Sequence, residues 1–299
     1  MAEPAIPHLG ELASLATAVC WVISALAFEA AGERIGSLTL NLLRLSIALV
    51  WLCLYGAVVH GTPLPTQANG TEWGWLSASS LVGFVWGDFC LLAAYIHLGP
   101  RLSSLVMVST PIWTAIGGIL FFGDRLAPIE AIGITAVVVG IAWAVSERPR
   151  GPGKRVNAKG VAYALGGATG QAGGLLLSKQ GLAGGLDPFA ATQIRVLVGL
   201  ATFALIVTVT GWWPRIAKAI RDGKAMRPTA IGGTFGPFLG VAMSLIGVHY
   251  TAQAGVAATL MALTPILLIP VVWFRGERVG LGGALGALIA VAGASLLFT

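Results

Sequence analysis

Ten long apolar runs are the feature that most constrains how this chain can fold. Each is close to the roughly 20 residues that an α-helix needs to cross a bilayer core about 30 Å thick. The runs are continuously apolar rather than alternating, which favours helices over the strands of a barrel. We number them spans 1 to 10 in chain order, covering residues 11–31, 37–60, 73–97, 101–122, 127–146, 157–179, 188–211, 229–249, 253–274 and 278–298.

The composition agrees with an all-α membrane protein. Only 10% of the 299 residues are charged, whereas 56% are hydrophobic. Soluble domains carry about 25% charged residues, so this chain has too little polar surface to cover a water-exposed globule. The net charge of +6 lies mostly in the connections between runs, where an anionic leaflet attracts it, and does not indicate a nucleic-acid partner.

The second half of the chain repeats the first. The matches run in register through nearly all of each half, which indicates duplication rather than coincidence. In spans 1 and 6 the spacings of four, three and four residues place each matched set on one helix face. The matched positions are Arg44 with Arg195, Thr110-Pro111 with Thr264-Pro265, Gly123-Asp124-Arg125 with Gly276-Glu277-Arg278, Gly133 and Gly140 with Gly286 and Gly293, and Thr17, Trp21, Ser24 and Phe28 with Gly167, Gln171, Gly174 and Ser178.

Five spans per half have a topological consequence. A unit that crosses the membrane an odd number of times must be followed by a copy inserted upside down. The sequence therefore predicts two inverted five-helix repeats, residues 1–149 and 150–299. Inverted repeats are typical of transporters, which place a substrate cavity near the bilayer midplane between the two halves.

The distribution of Lys and Arg predicts the orientation. With the amino terminus outside, fourteen basic residues lie in cytoplasmic connections and two, Arg125 and Lys179, in outer ones. The positive-inside rule then places both termini on the periplasmic or extracellular side of the cell (inner) membrane. Basic residues at 215, 218, 221 and 224 follow Trp212 and Trp213, a pattern that predicts a short interfacial helix.

The Thr-Pro steps at Thr110-Pro111 and Thr264-Pro265 lie near the middles of spans 4 and 9. Proline removes a backbone donor and crowds the carbonyl four residues before it, which frees polar groups at membrane depth. A kink there can expose carbonyls to a substrate and act as a hinge. It can equally be a plain packing kink.

Charged residues inside spans are costly and need a partner, a proton or water. Asp88 in span 3 is the deepest carboxylate, and Arg44 in span 2 is a plausible partner. The alternative is that Asp88 contacts a substrate ammonium or a proton. Arg44 and Arg195 either extend toward an interface or, for Arg195, meet a substrate carboxylate.

A glycine-rich face surrounds Gln171 in span 6, which predicts either a roomy polar wall or a tight helix seam. Trp21, Trp86 and Trp113 are candidates to stack on an apolar or aromatic ligand, although each can also serve as core or belt filling. The predicted substrate-binding residues are Trp21, Trp86, Asp88, Thr110, Pro111, Trp113, Gln171, Thr264 and Pro265.

The sequence contains no enzyme constellation. It has no HExxH, no GxSxG, no Walker A lysine loop and no His–Cys metal spacing. We therefore expect no catalytic residues, no metal ligands and no cofactor.

The proline-centred fourth span, the Gly-acidic-Arg turn and the glycine-spaced fifth span of each half resemble the drug/metabolite transporter superfamily. The chain is most similar to its EamA-type permeases, including the YddG-like amino-acid exporters. Trp21 fits the tryptophan of that family's first span. Small multidrug relatives couple to protons through a mid-membrane Glu in their first span, whereas Glu11 and Glu29 lie at span ends here. This departure from the family disfavours proton antiport and leaves facilitated exchange open.

The resemblance implies a basket-like bundle in which spans 1, 3, 4, 6, 8 and 9 surround a central cavity and spans 5 and 10 pack outside. It implies a monomeric carrier that exports small metabolites, chiefly aromatic or neutral amino acids, by alternating access. Alternatives are a multidrug exporter, a nucleotide-sugar or sugar-phosphate exchanger, and a membrane interaction or sensor protein that moves no solute. Phosphate-bearing substrates usually require several intramembrane cations, which disfavours the exchanger.

Overall fold

The computed structural model describes residues 7–146, 157–274 and 281–296, and within these ranges it is helical with no strand. The predicted all-α class is confirmed. The predicted boundary at residues 149 and 150 lies outside the described residues, as do Gly276, Glu277 and Arg278 in the second Gly-acidic-Arg turn.

Helices coincide with all ten predicted spans. In the first half they are Leu9–Ile35, Ser37–Val59, Gly70–Ser80 continued by Leu81–Asp88 and Phe89–Met107, Thr110–Phe122, and Pro128–Ser146. In the second half they are Ala158–Gly181, Pro188–Val209, Gly223–Gly233 continued by Thr234–Gly240 and Val241–Tyr250, Ala254–Met261, Thr264–Phe274, and Leu281–Ser295.

Length and hydropathy alone identify five of the described helices as able to cross a membrane. They are Leu9–Ile35, Ser37–Val59, Gly70–Leu98, Pro188–Val209 and Gly223–Tyr250, which belong to spans 1, 2, 3, 7 and 8. The helices of spans 4, 5 and 9 are apolar but shorter. Span 6 is long enough, yet its many glycines lower its mean hydropathy.

The Thr-Pro steps mark breaks rather than the predicted kinks. Span 4 is interrupted by a turn at residues 108–109, and span 9 by a turn at residues 262–263. A new helix begins at Thr110 and at Thr264, so each proline lies in the first turn of a half-helix. Proline is tolerated there because the first N–H groups of a helix have no intrahelical acceptor.

Spans 3 and 8 each contain a π-helical segment, Leu81–Asp88 and Thr234–Gly240. The two segments occupy matched positions, since Gly83 and Gly87 correspond to Gly236 and Gly240. A π-helical segment inserts extra residues into a turn and is frequent at functional sites. Hydropathy carries no signal for such a segment, so neither was predicted from the sequence.

Spans 5 and 10 show directly that the halves are inverted. A Cβ atom on Gly140 would lie 2.6 Å from the carbonyl oxygen of Gly286, and one on Gly293 would lie 2.9 Å from that of Gly133. Because Gly140 matches Gly293 and Gly133 matches Gly286, the two contacts are the same contact seen twice. Such reciprocity requires a two-fold axis across two antiparallel helices. Glycine serves here for close packing within one chain.

The same axis relates the cavity walls. Span 1 packs antiparallel against span 8, and span 6 against span 3. In the second pair Gly87 lies against Gly170, and Gly83 against Gly174, so four glycines bring the two backbones together. Spans 2 and 7, and spans 4 and 9, pack against each other across the axis.

A short helix is present at Trp213–Arg221, where the sequence predicts an interfacial one, although Lys224 belongs to the following helix. Ile216 and Ala219 are buried, whereas the basic residues at 215, 218 and 221 are exposed. The guanidinium of Arg215 lies 4.2 Å from the ring centre of Trp212.

Candidate functional site

A central cavity lies between the two halves, with about 130 Å³ open to the centres of water-sized spheres. Its lining comes from spans 1, 3, 4, 6, 8 and 9, as the resemblance implied, and also from single arginines of spans 2 and 7. Among the described residues, spans 5 and 10 contribute nothing to it. The walls are mostly apolar and aromatic, with few polar groups.

Five of the nine predicted site residues line this cavity: Trp21, Asp88, Thr110, Gln171 and Thr264. They come from both halves, and they bring one indole, one carboxylate, one amide and two hydroxyls to a shared space. A glycine at position 240 makes room for the indole, since a Cβ atom there would lie 2.9 Å from Trp21 Nε1.

The structure does not bring Trp86, Pro111 or Trp113 to the cavity. The side chains of Trp86 and Trp113 are 58% and 44% exposed on the outer surface. Pro111 is buried in the first turn of its half-helix. Pro265 occupies the matched turn of span 9, and its side chain lies outside the described part.

Of the two interpretations of Asp88, the structure shows the ion pair with Arg44. Arg44 Nη2 donates a hydrogen bond to Asp88 Oδ2 at 2.5 Å. Arg44 also donates through Nε and Nη2 to Asn41 Oδ1, at 3.0 and 2.7 Å. Its guanidinium carbon lies 5.3 Å from the ring centre of Phe28. The ion pair is largely buried and forms part of the cavity wall.

Arg195 has a different environment, although it matches Arg44 in the repeat. It is 5% exposed, and its Nε atom has no hydrogen-bond partner. Its guanidinium carbon lies 4.6 Å from the ring centre of Phe84. Two glycines make space for it, because a Cβ atom on Gly83 or Gly174 would lie 2.9 or 3.4 Å from Arg195 Nη2. No carboxylate of the described residues pairs with Arg195.

The two threonines at the helix breaks also differ. Thr264 Oγ1 donates to the carbonyl of Met261 at 2.8 Å. Thr110 Oγ1 is buried and has no partner within the described part of the chain. Both residues line the cavity, so Thr110 brings an unsatisfied hydroxyl to it.

Sequence reasoning overlooked several lining residues, among them Tyr95, Met107 and Ser244. Phe28 was one of the matched positions of the repeat but was not selected. Phe28 carried a usable signal, because it lies seven residues after Trp21 on the same helix face. The others had no signal that distinguishes them from core residues.

Ion pairs link helix ends on both faces of the bundle. On the face opposite the end of span 1, Lys179 Nζ lies 3.3 and 3.4 Å from the two carboxylate oxygens of Asp124. The same ammonium donates to the carbonyl of Ala252 at 3.1 Å. This contact joins the ends of spans 4, 6 and 8. No described residue of the cavity lining lies at this face.

At the end of span 1, Arg34 pairs with Asp222 at 3.1 Å. Burial acts to raise the pKa of Asp222, but the hydrogen bond from Arg34 and the backbone N–H of Lys224 lower the pKa below its usual value. The pair is substantially exposed, so it contributes little to stability.

No cluster of three His, Cys, Asp or Glu that could hold a metal occurs among the described residues. The arrangement is that of a ligand chamber: mostly apolar walls with a few convergent polar groups.

Comparisons with known proteins agree with this architecture. The model of the EamA-like transporter family matches the chain twice, over residues 8–146 and 158–299. No curated protein matches the chain. A crystal structure of a protein superimposes with a TM-score of 0.76 at 17% sequence identity, covering 97% of this chain and 96% of that one. At that identity the likeness concerns the fold alone. The two matches of the family model span nearly all of the sequence, and the chain belongs to the EamA-like transporter family.

Proposed function

We propose that this protein is a carrier that exports small metabolites, with neutral and aromatic amino acids as the first candidates. The observation that carries the proposal is the cavity between inverted halves, to which each half contributes polar groups. A protein that served only as a membrane sensor or adaptor would have no need for such a chamber. The substrate class rests on the size and mixed character of the lining.

The carrier works by alternating access. The cavity lining of spans 1 and 3 reaches Phe28 and Tyr95, toward the end of span 1, whereas Lys179, Asp124 and Ala252 close the opposite face. Because the opposite face is held together by these contacts, we infer that the cavity loads from the end of span 1. An inverted repeat supplies the other state by exchanging the conformations of its halves.

The orientation follows from the basic residues. The connection between spans 1 and 2 and the interfacial helix Trp213–Arg221 lie on the side that the positive-inside rule makes cytoplasmic. The cavity then opens to the cytoplasm, as an exporter requires for loading. We place the protein as a monomer in the cell (inner) membrane, with both termini outside.

Counterflow in liposomes tests the proposal. Purified protein reconstituted with an unlabelled amino acid inside should accelerate uptake of the labelled one, across a panel of aromatic and neutral amino acids. Gln171→Trp fills the cavity and should abolish counterflow. The matched control Leu120→Trp adds the same side chain on an outer face that is 71% exposed, and should retain it.

Two results would reject the proposal. One is a lack of counterflow for every amino acid tested with protein that is folded by size-exclusion chromatography. The other is equal counterflow in Gln171→Trp and wild type, because transport would then bypass the cavity. Preferential transport of lipophilic cations would favour the multidrug alternative.

A further inference from the structure

The charges in the cavity wall do not follow the symmetry of the repeat. Arg44 and Arg195 are matched, and both line the cavity. Asp88 neutralises Arg44, but Gly87 matches Gly240, so the residue that corresponds to Asp88 is Val241. The second half therefore has the arginine without the acid.

The consequence is one surplus positive charge. The charged side chains of the described lining are Arg44, Asp88 and Arg195, and the first two form an ion pair. An unpaired guanidinium in a low-dielectric site is unfavourable unless a partner arrives. The glycines at 83 and 174 hold open the space that Arg195 occupies, so the position is built for it.

We propose that Arg195 is the counter-ion of a single carboxylate on the transported molecule. The inference rests on the proposed carrier function and specifies which group of the cargo is recognised. A guanidinium fork matches a carboxylate with two parallel hydrogen bonds. Thr110 brings a second buried donor without a partner to the same cavity. One surplus charge suits a monoanionic group better than a phosphate dianion.

An ammonium group has no such counter-ion. The only described carboxylate of the lining, Asp88, is already engaged by Arg44 at 2.5 Å. A zwitterion leaves the surplus charge of the cavity unchanged overall, whereas a simple carboxylate neutralises it. Recognition therefore depends on the carboxylate of the cargo, and the ammonium is dispensable.

Three analogues of one shape separate these contributions. Phenylalanine carries both charges, 3-phenylpropanoate lacks the ammonium, and phenylalaninamide lacks the carboxylate. Binding to the full-length protein in detergent is measured by isothermal calorimetry, with intrinsic tryptophan fluorescence, to which Trp21 in the cavity contributes, as a second readout. The acid should bind at least as tightly as the amino acid, because only the acid neutralises the surplus charge. The amide should bind about 10- to 100-fold more weakly than the acid, as expected for a charge-assisted contact.

Substitution of the arginine gives the matching result. Arg195→Gln should weaken binding of 3-phenylpropanoate by about 10- to 100-fold and leave the weak binding of phenylalaninamide unchanged. Arg195→Lys should restore part of the affinity. Arg215→Gln, which removes an exposed arginine outside the cavity, is the control and should bind as wild type. Without ligand, Arg195→Gln should melt no lower than wild type, since it removes an unpaired buried cation.

Several outcomes would overturn the assignment. Equal affinity of the wild type for phenylalanine and phenylalaninamide would do so without any variant, so a variant that fails to fold leaves the test intact. Tighter binding of phenyl phosphate than of 3-phenylpropanoate would exclude a carboxylate. If counterflow persists while Arg195→Gln keeps its preference for the carboxylate, this inference fails and the carrier function stands. If ligands bind as expected but no counterflow occurs, the carrier function fails instead.

Discussion

The seam between spans 5 and 10 allows a quantitative test of the inverted repeat. A Cβ atom on Gly140 would lie 2.5 Å from the backbone nitrogen of Ala290, about 0.9 Å short of the 3.4 Å at which ordinary contact begins. One on Gly293 would lie 2.7 Å from Ala136 Cβ and 2.9 Å from two backbone atoms. Backbone cannot rotate away as a side chain can, so either alanine must push the helices apart.

The expected cost follows from that displacement. Overpacking a tight contact typically costs about 1–3 kcal/mol of stability. Because the two contacts are equivalent, we expect the losses of stability in Gly140→Ala and Gly293→Ala to agree within about 1 kcal/mol. The double variant should cost less than the sum, since the first methyl group already opens the seam for the second. Gly74→Ala is the control: no atom lies within 4 Å of its Cβ position, and alanine favours a helix.

Thermal unfolding in detergent measures the loss, followed by tryptophan fluorescence. At about 2–4 °C per kcal/mol, each single variant should melt about 2–12 °C below wild type. Neither substitution touches the cavity, so ligand binding should persist below the transition. Variants of Gly140 and Gly293 that melt with Gly74→Ala, or a double variant whose loss equals the sum, would refute the reciprocal contact and the two-fold axis derived from it.

Three further predictions follow from the ion pairs and the topology. Asp88→Asn should lower stability by about 3 kcal/mol, because it leaves Arg44 buried without its carboxylate. Combining Asp88→Asn with Arg44→Gln should recover part of the lost stability in the same melts. If Asp88→Asn alone is as stable as wild type, the prediction is wrong. Lys179→Gln should increase accessibility of the cavity from the face near Asp124, measured by thiol labelling of Thr110→Cys from outside, and exchanging the two charges should restore closure. Unchanged labelling would show that the Lys179–Asp124 pair does not close this face. Tags on both termini should be accessible from the outside, and tags on opposite sides would contradict the odd number of spans in each half.

The sequence was sufficient for the architecture because hydropathy and duplication are both long-range signals. Ten apolar runs predicted the helices, and matched positions such as Thr110 and Thr264 predicted the two repeats. Side-chain direction was harder to predict. Trp86 and Asp88 were both assigned to the cavity, yet residues two apart do not share a helix face. The π-helical segment that contains them shifts the phase further.

The helix breaks account for another part of the difference. Pro111 was selected for the carbonyls that a kink would expose, and Trp113 as a residue that could stack on a ligand. Both selections require span 4 to keep facing the cavity beyond Thr110. In the structure the lining of span 4 ends at Thr110, and that of span 9 at Thr264. The half-helices beyond these residues lead away from the site. Whether a proline kinks a helix or starts one depends on the tertiary contacts around it, which a single sequence does not record.

The site itself depends on departures from the repeat. Matched residues give the two halves equivalent packing, so either half can adopt the conformation of the other. Alternation between the two states of the carrier depends on this equivalence. A cargo with a distinct charged end is not symmetric and needs groups that occur once. In the repeat, Asp88 corresponds to Val241 and Trp21 corresponds to Gln171. The hydroxyl of Thr110 has no hydrogen-bond partner in the described part of the chain, whereas that of Thr264 donates to a carbonyl. Residues that are the same in the two halves therefore support the alternation of the carrier, and residues that differ between the halves determine which cargo it binds.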